Sequence, residues 1–256
     1  MYKCFLGFLL VISLFTVLSI AQTAPPSDPQ AVALVAQSVL AMTGGTPIGD
    51  GNLTGTAVWT AGSDRQTGTV TLLAKGFAES RVDLNLGGGT KSEIRNSNAS
   101  PDEGNWIGPD SVVHAIAQHN CFTDSSWFFP ALGSLASAAT NPNVVLTYVG
   151  LESSLQHIHV YTYDAQLPDA QQLSAMDFYL DPQSLLPQVV MFNEHPDENP
   201  TVNIGVEAMF LDYRNVNGAA IPFHIQRYVN NSLMLDVQLT SATVNSGISD
   251  NQFNVQ

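Results

Sequence analysis

Apolar and polar residues alternate most plainly between Thr201 and Phe253. Val202, Ile204, Val206, Ala208 and Phe210 occupy every second position on the way to Tyr213, which is the period of a half-buried strand. Asn217-Gly218 supplies residues that tolerate positive φ, and Ile221, Phe223, Ile225 and Val229 resume the alternation, interrupted by Arg227. After Asn230-Asn231-Ser232 the pattern returns at Leu233, Leu235, Val237 and Leu239. Three strands joined by short turns predict an antiparallel meander with one apolar face. The other face carries His224, Gln226, Asp236 and Gln238. A second meander is predicted over Leu53 to Thr60, Gly68 to Ala74, Phe77 to Leu86 and Thr90 to Asn96. Its Gly87-Gly88-Gly89 has no helix after it and so reads as a turn, not a phosphate cradle. Val144 to Val149, Gln156 to Tyr163, Met176 to Leu180 and Leu186 to Asn193 complete a count of about eleven strands.

One helix is clear. Ser27 or Asp28 can cap it, Pro29 sits in its first turn where a missing amide does no harm, and Gly44-Gly45 ends it. Val32, Leu34, Val35, Val39, Leu40 and Met42 spread around its circumference, so most of its faces are expected to be buried. Between the meanders the periodicity fails. Asn98 to Asp110 reads as a surface loop, Ser111 to His119 as a short helix, and Leu132 to Ala139 as a helix of small residues. The stretch from Trp106 through Trp127-Phe128-Phe129-Pro130 holds two of the three tryptophans and is the expected lid.

The last third of the chain resembles the periplasmic lipoprotein carriers of the LolA/LolB-like superfamily. The resemblance rests on Phe178-Tyr179-Leu180-Asp181-Pro182 with Leu185-Leu186-Pro187, Asp212-Tyr213-Arg214, Gly218-Ala219-Ala220-Ile221-Pro222, Val244-Asn245, Ile248-Ser249-Asp250 and Phe253. It implies an α+β fold that is mostly β: a curved antiparallel sheet, an incomplete barrel, covered on its concave side by a few helices around a hydrophobic cavity for acyl chains. On that reading Leu72, Val206, Phe210, Ile225 and Val237 supply the concave face. Trp106, Trp127, Phe128 and Phe129 stand at the lid as ligand-binding residues.

Met1 to Ala21 has the form of a signal peptide: Lys3, then an apolar run from Phe5 to Ile20, then small residues at a cleavage site near Ala21. The run is short of the roughly 20 residues of a permanent span, and Cys4 precedes it, where a lipoprotein's acylated cysteine cannot lie. Export to the periplasm or beyond is therefore expected, with residues 22–256 forming a single half-barrel domain. Removing Lys3 with the signal leaves seven of the eight Lys+Arg against 22 Asp+Glu, a net charge of −15. That disfavours nucleic acid and anionic membrane surfaces as partners. Cys121 is then the lone cysteine, so the fold must stand on its core without an intramolecular disulfide.

Catalytic and metal signatures were sought. His157 and His159 share a strand face but lack a third ligand nearby and read as exposed strand histidines, while His195 falls in an acidic hairpin tip, Glu194 to Pro200. Asp102-Glu103 and Asp197-Glu198 read as solvated loop acids. No Gly-x-Ser-x-Gly, His-Glu-x-x-His, Cys-x-x-Cys or Gly-x-Gly-x-x-Gly occurs. The reading is a non-enzymatic carrier or chaperone for a hydrophobic small molecule, lipid or lipidated protein, with no metal and no cofactor. Its alternatives are a cell-envelope interaction module, or a secreted hydrolase whose first candidates are His114, His119 and Cys121.

Overall fold

Thirteen strands form one antiparallel sheet in the computed structural model, which describes residues 23–97, 103–123 and 125–255. The expected signal peptide, Asn98-Ala99-Ser100 and Asp102 lie outside the described residues. The first meander comprises β1 (Asp50–Ala61), β2 (Asp64–Lys75), β3 (Glu79–Leu86), β4 (Gly89–Asn96), β5 (Glu103–Ile107) and β6 (Val113–Ala115). The second comprises β7 (Val144–Glu152), β8 (Leu155–Thr162), β9 (Met176–Leu180), β10 (Pro187–Glu194), β11 (Ile204–Val216), β12 (Ala219–Val229) and β13 (Ser232–Val244). β1 pairs with β13 and joins the two meanders; β6 and β7 are the edges of an unclosed, curved sheet.

The turns form where the sequence asks for them. Asn217 and Gly218 have φ of 51° and 93°, and Asn230 and Asn231 have 47° and 62°, the positive φ pair of the tight hairpin turn that matches strand twist. Helix α1 (Pro29–Thr43) is capped by Asp28, whose carboxylate accepts from the Gln30 and Ala31 amides, and ends at a left-handed Gly44. A side chain at Gly44 would meet the Gly218 carbonyl oxygen at 2.6 Å. The C-terminus of α1 thus abuts the β11–β12 turn, an approach that only glycine permits.

Two strands exceed the eleven expected. Glu103–Ile107 is β5 and not part of a surface loop, and Ser111 to His119 forms β6 and a 3-10 turn, not a helix. The small-residue helix expected over Leu132 to Ala139 shortens to α2 (Ser134–Ser137), and α3 (Ala170–Leu173) is a single turn. The inward positions of β5 are Gly104 and Trp106, so it has no apolar alternation to find.

Helix α1 lies against β12 and β7 and touches α2. Its buried Ala31, Val35 and Met42 join one continuous core with the inward residues of both meanders. On the reverse of the sheet, Phe253 is fully buried against Leu73 and Ile94, so the C-terminal tail covers the outer face of β2 and β4.

Asp50 fastens that tail. Its carboxylate accepts from the Ser246 amide (2.8 Å), the Ser246 hydroxyl (2.9 Å), the Gly247 amide (2.8 Å) and the Ile248 amide (3.3 Å). Burial works to raise its pKa, but the donors from Ser246, Gly247 and Ile248 outweigh burial and hold it below the ordinary value. Asp50→Ala is therefore expected to lose about 2 kcal/mol in urea unfolding at pH 7, in the range for hydrogen bonds to a charged group. Because the folded pKa is depressed, the contribution is present above the unfolded value of about 4 and fades as pH falls through the folded one. An unchanged midpoint in the variant would mean that Phe253, with Lys75 on the Ile248 carbonyl and Arg81 on the Gln252 carbonyl, holds the tail without Asp50.

Candidate functional site

Paired residues in a sheet share a face, and that parity locates the site. Leu84 and Val82 face the core, and their partners on β4 are Lys91 and Glu93; Arg95 follows two residues later, opposite Ser80. The inward stripe of β4 is therefore fully charged. Next along the ladder, Trp106 stands opposite Glu93 and His114 opposite Trp106. The indole and imidazole stack with centroids 3.9 Å apart and planes 12° from parallel.

Across the concavity the same parity turns Glu194 of β10 and Arg227 of β12 inward. Glu194 Oε1 accepts from Arg227 at 2.6 Å and from Arg95 at 3.2 Å, and Arg95 also lies 3.2 Å from Glu93. Arg95 is almost wholly buried, and Glu194 and Arg227 are about four-fifths enclosed. Burial acts to raise the Glu194 carboxyl, but Arg227 and Arg95 overcome it and hold the group below its ordinary pKa. The Nε atoms of Arg95 and Arg227 are buried with no hydrogen-bond partner among the described residues.

A folded-in hairpin tip closes this cluster. The Asn120 side chain donates to the His195 carbonyl (2.7 Å) and accepts from the His195 amide (3.0 Å), and the His119 ring lies 3.0 Å from the Pro196 carbonyl. His195 is consequently 4 % exposed and not in a solvated tip as its acidic neighbours led one to expect. Its Nδ1 faces the Val202 carbonyl at 3.0 Å, which can only accept, so in the neutral ring Nδ1 carries the proton and Nε2 is a buried acceptor with no hydrogen-bond partner among the described residues.

Two recesses meet at this corner. One, of about 210 Å³, is lined by Trp59, Trp106 and Trp127 together with Lys91, Arg227 and Glu93. The other, of about 190 Å³, is lined by Arg95, Asn120, His195 and Asp197 and shares Glu93, Trp106 and Arg227 with the first. Lys91 Nζ stands 4.3 Å over the Trp59 ring and the Arg227 guanidinium 5.1 Å from that of Trp127, both within cation–π range.

The expected ligand-facing residues separate into two groups. Leu72, Val206, Phe210, Ile225 and Val237 all lie on the covered face and are at most 2 % exposed. Phe128 and Phe129 are completely buried and fill the concavity, while Trp127 is nearly buried but lines the tryptophan recess. Phe128 and Phe129 thus lie inside the half-barrel and not at its mouth. The irregular segment enters the half-barrel because its aromatic rings have the volume to occupy a concavity that α1 alone does not fill. Trp106 alone of the four is exposed, at the rim.

The other candidate residues do not converge. His114 is spent on Trp106, His119 on Pro196, and Cys121 is buried, so these first candidates for a hydrolase site have separate surroundings. On the outer face, Asp177 Oδ1 lies 2.8 Å from both His157 Nε2 and His159 Nδ1, and Glu152 lies 3.0 Å from His157 Nδ1. His157 is buried, not exposed, because Tyr179 stacks on it with centroids 4.4 Å apart. Burial works to raise the Asp177 carboxyl, and the bonds from His159 and His157 outweigh it and hold the group below its ordinary pKa. Among the described residues, no group of three or more His, Cys, Asp and Glu side chains is arranged to hold a metal ion.

In fold the chain is similar to LolA-like half-barrels of known structure. An outer membrane lipoprotein-sorting protein domain from Vibrio parahaemolyticus superposes with a TM-score of 0.55 at 12% identity, over 86% of this chain and 94% of that one. A LolA superfamily protein from Nitrosomonas europaea gives 0.57 at 9% identity, over 88% and 97%. A DUF1329 family protein from Desulfovibrio piger gives 0.54 at 13%, over 90% and 100%. At such identities the likeness is one of architecture. No protein-family model matches the sequence, and no curated protein matches it.

Proposed function

We propose that this chain is an exported, non-enzymatic carrier or chaperone that holds a lipid or acyl-chain ligand, free or attached to a protein, under a single half-barrel domain. The observation that carries the reading is the covered face of the unclosed sheet. It is apolar from Leu53 on β1 to Phe178 on β9 except where Arg227 and Glu194 pair at one corner, and it is filled from the other side by one helix and by an irregular segment. A segment with so little regular structure of its own can leave without breaking a sheet ladder, and its departure would uncover apolar surface of the kind that acyl chains seek. The open cleft at the tryptophans, about 210 Å³, is smaller than the roughly 300–1,000 Å³ of most ligand sites. Bulky ligands therefore require the segment to move. The lipoprotein-sorting domain of the same architecture favours the same ligand class. Among the described residues no helix is long and apolar enough to cross a membrane.

Native mass spectrometry of the protein purified from its own envelope, followed by organic extraction, tests this directly. A co-purifying acyl or lipid mass is the expected result. A bare protein that also ignores fluorescent fatty-acid and phospholipid probes would sink the carrier and leave an interaction module of the same fold. The exposed Leu40 and Phe77 beside a groove of about 440 Å³ between α1 and residues 131–140 are where such a module would be tested first.

A further inference from the structure

Resting on the carrier reading, we infer that the helical cover of the half-barrel, together with the β2–β3 turn beside it, docks on the surface of a neutral lipid bilayer and takes the ligand directly from it. The distribution of charge along the chain carries this furthest. The chain has eight Lys+Arg and 22 Asp+Glu, yet residues 29–49 and 125–143 contain none of these and no histidine. The first stretch is α1 with the turn that follows it, and the second is the irregular segment with α2. These are the parts that cover the concave side of the sheet. Every acid and base of the protein lies elsewhere in the chain.

The outward side of this cover is apolar as well as uncharged. Between Val32 and Ala41 the exposed positions of α1 are Val32, Ala33, Ala36, Gln37, Leu40 and Ala41. A helix on the surface of a soluble domain ordinarily carries charged and polar residues there. Leu40 is 59 % exposed and Phe77, in the β2–β3 turn, 50 %. Both border the groove of about 440 Å³ between α1 and residues 131–140, and no acid or base among the described residues lines it. An exposed apolar surface of this kind marks a face that meets a partner or a membrane.

A bilayer suits this face better than a second protein. Protein partners are set in register by charged and polar groups across an interface, and the groove offers only threonine, serine and glycine for that purpose. Burial at the surface of a neutral bilayer draws on apolar area, and a face free of acids and bases gives up no ion hydration on entering it. The acidic excess of the chain opposes an anionic surface, so neutral lipid is the one selected. Position supports the same partner. Residues 125–132 carry Phe128 and Phe129 into the concavity, while Ala131 and Leu132 line the groove. Docking here brings the lipid to the part of the cover that must move to admit a ligand.

The kinetics of ligand transfer test the face. A fluorescent fatty acid is loaded into phosphatidylcholine vesicles, and its movement to the protein without its signal segment is followed as vesicle concentration rises. Uptake by contact makes the transfer rate rise with vesicle concentration, whereas uptake through water leaves it constant. The expected result is a rising rate, co-flotation of the protein with phosphatidylcholine vesicles, and weaker flotation with phosphatidylglycerol vesicles at low salt. Leu40→Glu combined with Phe77→Glu, both at exposed positions, should leave the thermal midpoint in place. The double variant is expected to lower flotation and transfer rate about tenfold while its affinity for the fatty acid in solution stays unchanged. A transfer rate independent of vesicle concentration would overturn the docking face and leave the carrier standing. So would a double variant that floats as well as the wild type, or one that loses fatty-acid affinity in solution, which would make the groove a ligand site. A wild-type dimer that the double variant converts to monomers in sedimentation would mean that a second copy covers the face. Failure to take up the fatty acid from either solution or vesicles would overturn the carrier reading and this inference with it.

Discussion

Replacing Glu194 with glutamine is expected to destabilise the protein by about 3 kcal/mol, lowering the melting temperature by roughly 6–12 °C for a domain of this size. The magnitude follows from what remains. Arg227 and Arg95 converge on one carboxylate at 2.6 and 3.2 Å, and both guanidinium groups are largely enclosed. Glu93 can compensate Arg95 in part, but Arg227 then lies in the concavity with its charge unmatched. Removing one member of such a cluster is far more damaging than replacing the whole cluster by apolar residues, which is often neutral. A control follows: Glu194→Leu combined with Arg95→Met and Arg227→Met should recover most of the loss. Acid should reproduce part of the effect. The folded carboxyl is held below its ordinary pKa, so its contribution is complete above the unfolded value of about 4.3 and is lost as pH falls through the folded one. A loss below 1 kcal/mol in the single variant, measured by urea unfolding at pH 7, would show that water screens the corner.

The same cluster explains where the sequence was legible and where it was not. Strands whose inward positions are apolar, such as β11, β12 and β13, declare themselves by alternation, and their asparagine and glycine turns fix the hairpins between them. The cap and stop of α1 are local chemistry and were equally readable. β4 presents Lys91, Glu93 and Arg95 inward, so its hydrophobicity says nothing about which face is covered; only the ladder to β3 decides it. β5 and β6 hang on that polar stripe and inherit its silence. Glu194 and His195 looked like the start of a solvated tip because charge and proline dominate their neighbourhood. What buries them is Asn120, some 75 residues away, and no local pattern encodes a contact of that range. Arg227 gave the one available hint, as a charge that interrupts an apolar alternation. Such an interruption marks either an outward slip or an inward partner, and here it marks Glu194.

Phe129→Ala is expected to lower stability by about 3–5 kcal/mol, the usual loss for a phenylalanine removed from a packed interior. It is also expected to tighten the binding of a fluorescent fatty acid several-fold. The ring is completely buried, and it sits so close over β1 that a side chain on Gly51 would meet it at 2.4 Å. Gly51 and Phe129 are therefore a matched pair: the missing Cβ on the strand makes room for the ring from the irregular segment. Gly51→Ala should by itself lose about 1–3 kcal/mol through overpacking. In the double variant the two losses should be less than additive, since the methyl then projects into the space that the ring has vacated. Binding separates the structural role from the functional one. If Phe129 holds the place of an acyl chain, truncation empties apolar volume that stays dry and accepts hydrocarbon. The penalty for moving the segment, which the wild type incurs with each bound ligand, is then already met. A loss of stability with no change in fatty-acid affinity would mean that Phe129 is core and nothing more, and the ligand would have to be accommodated entirely at the tryptophan corner. Unchanged stability would mean that the segment from Ser125 to Leu132 does not hold the half-barrel closed.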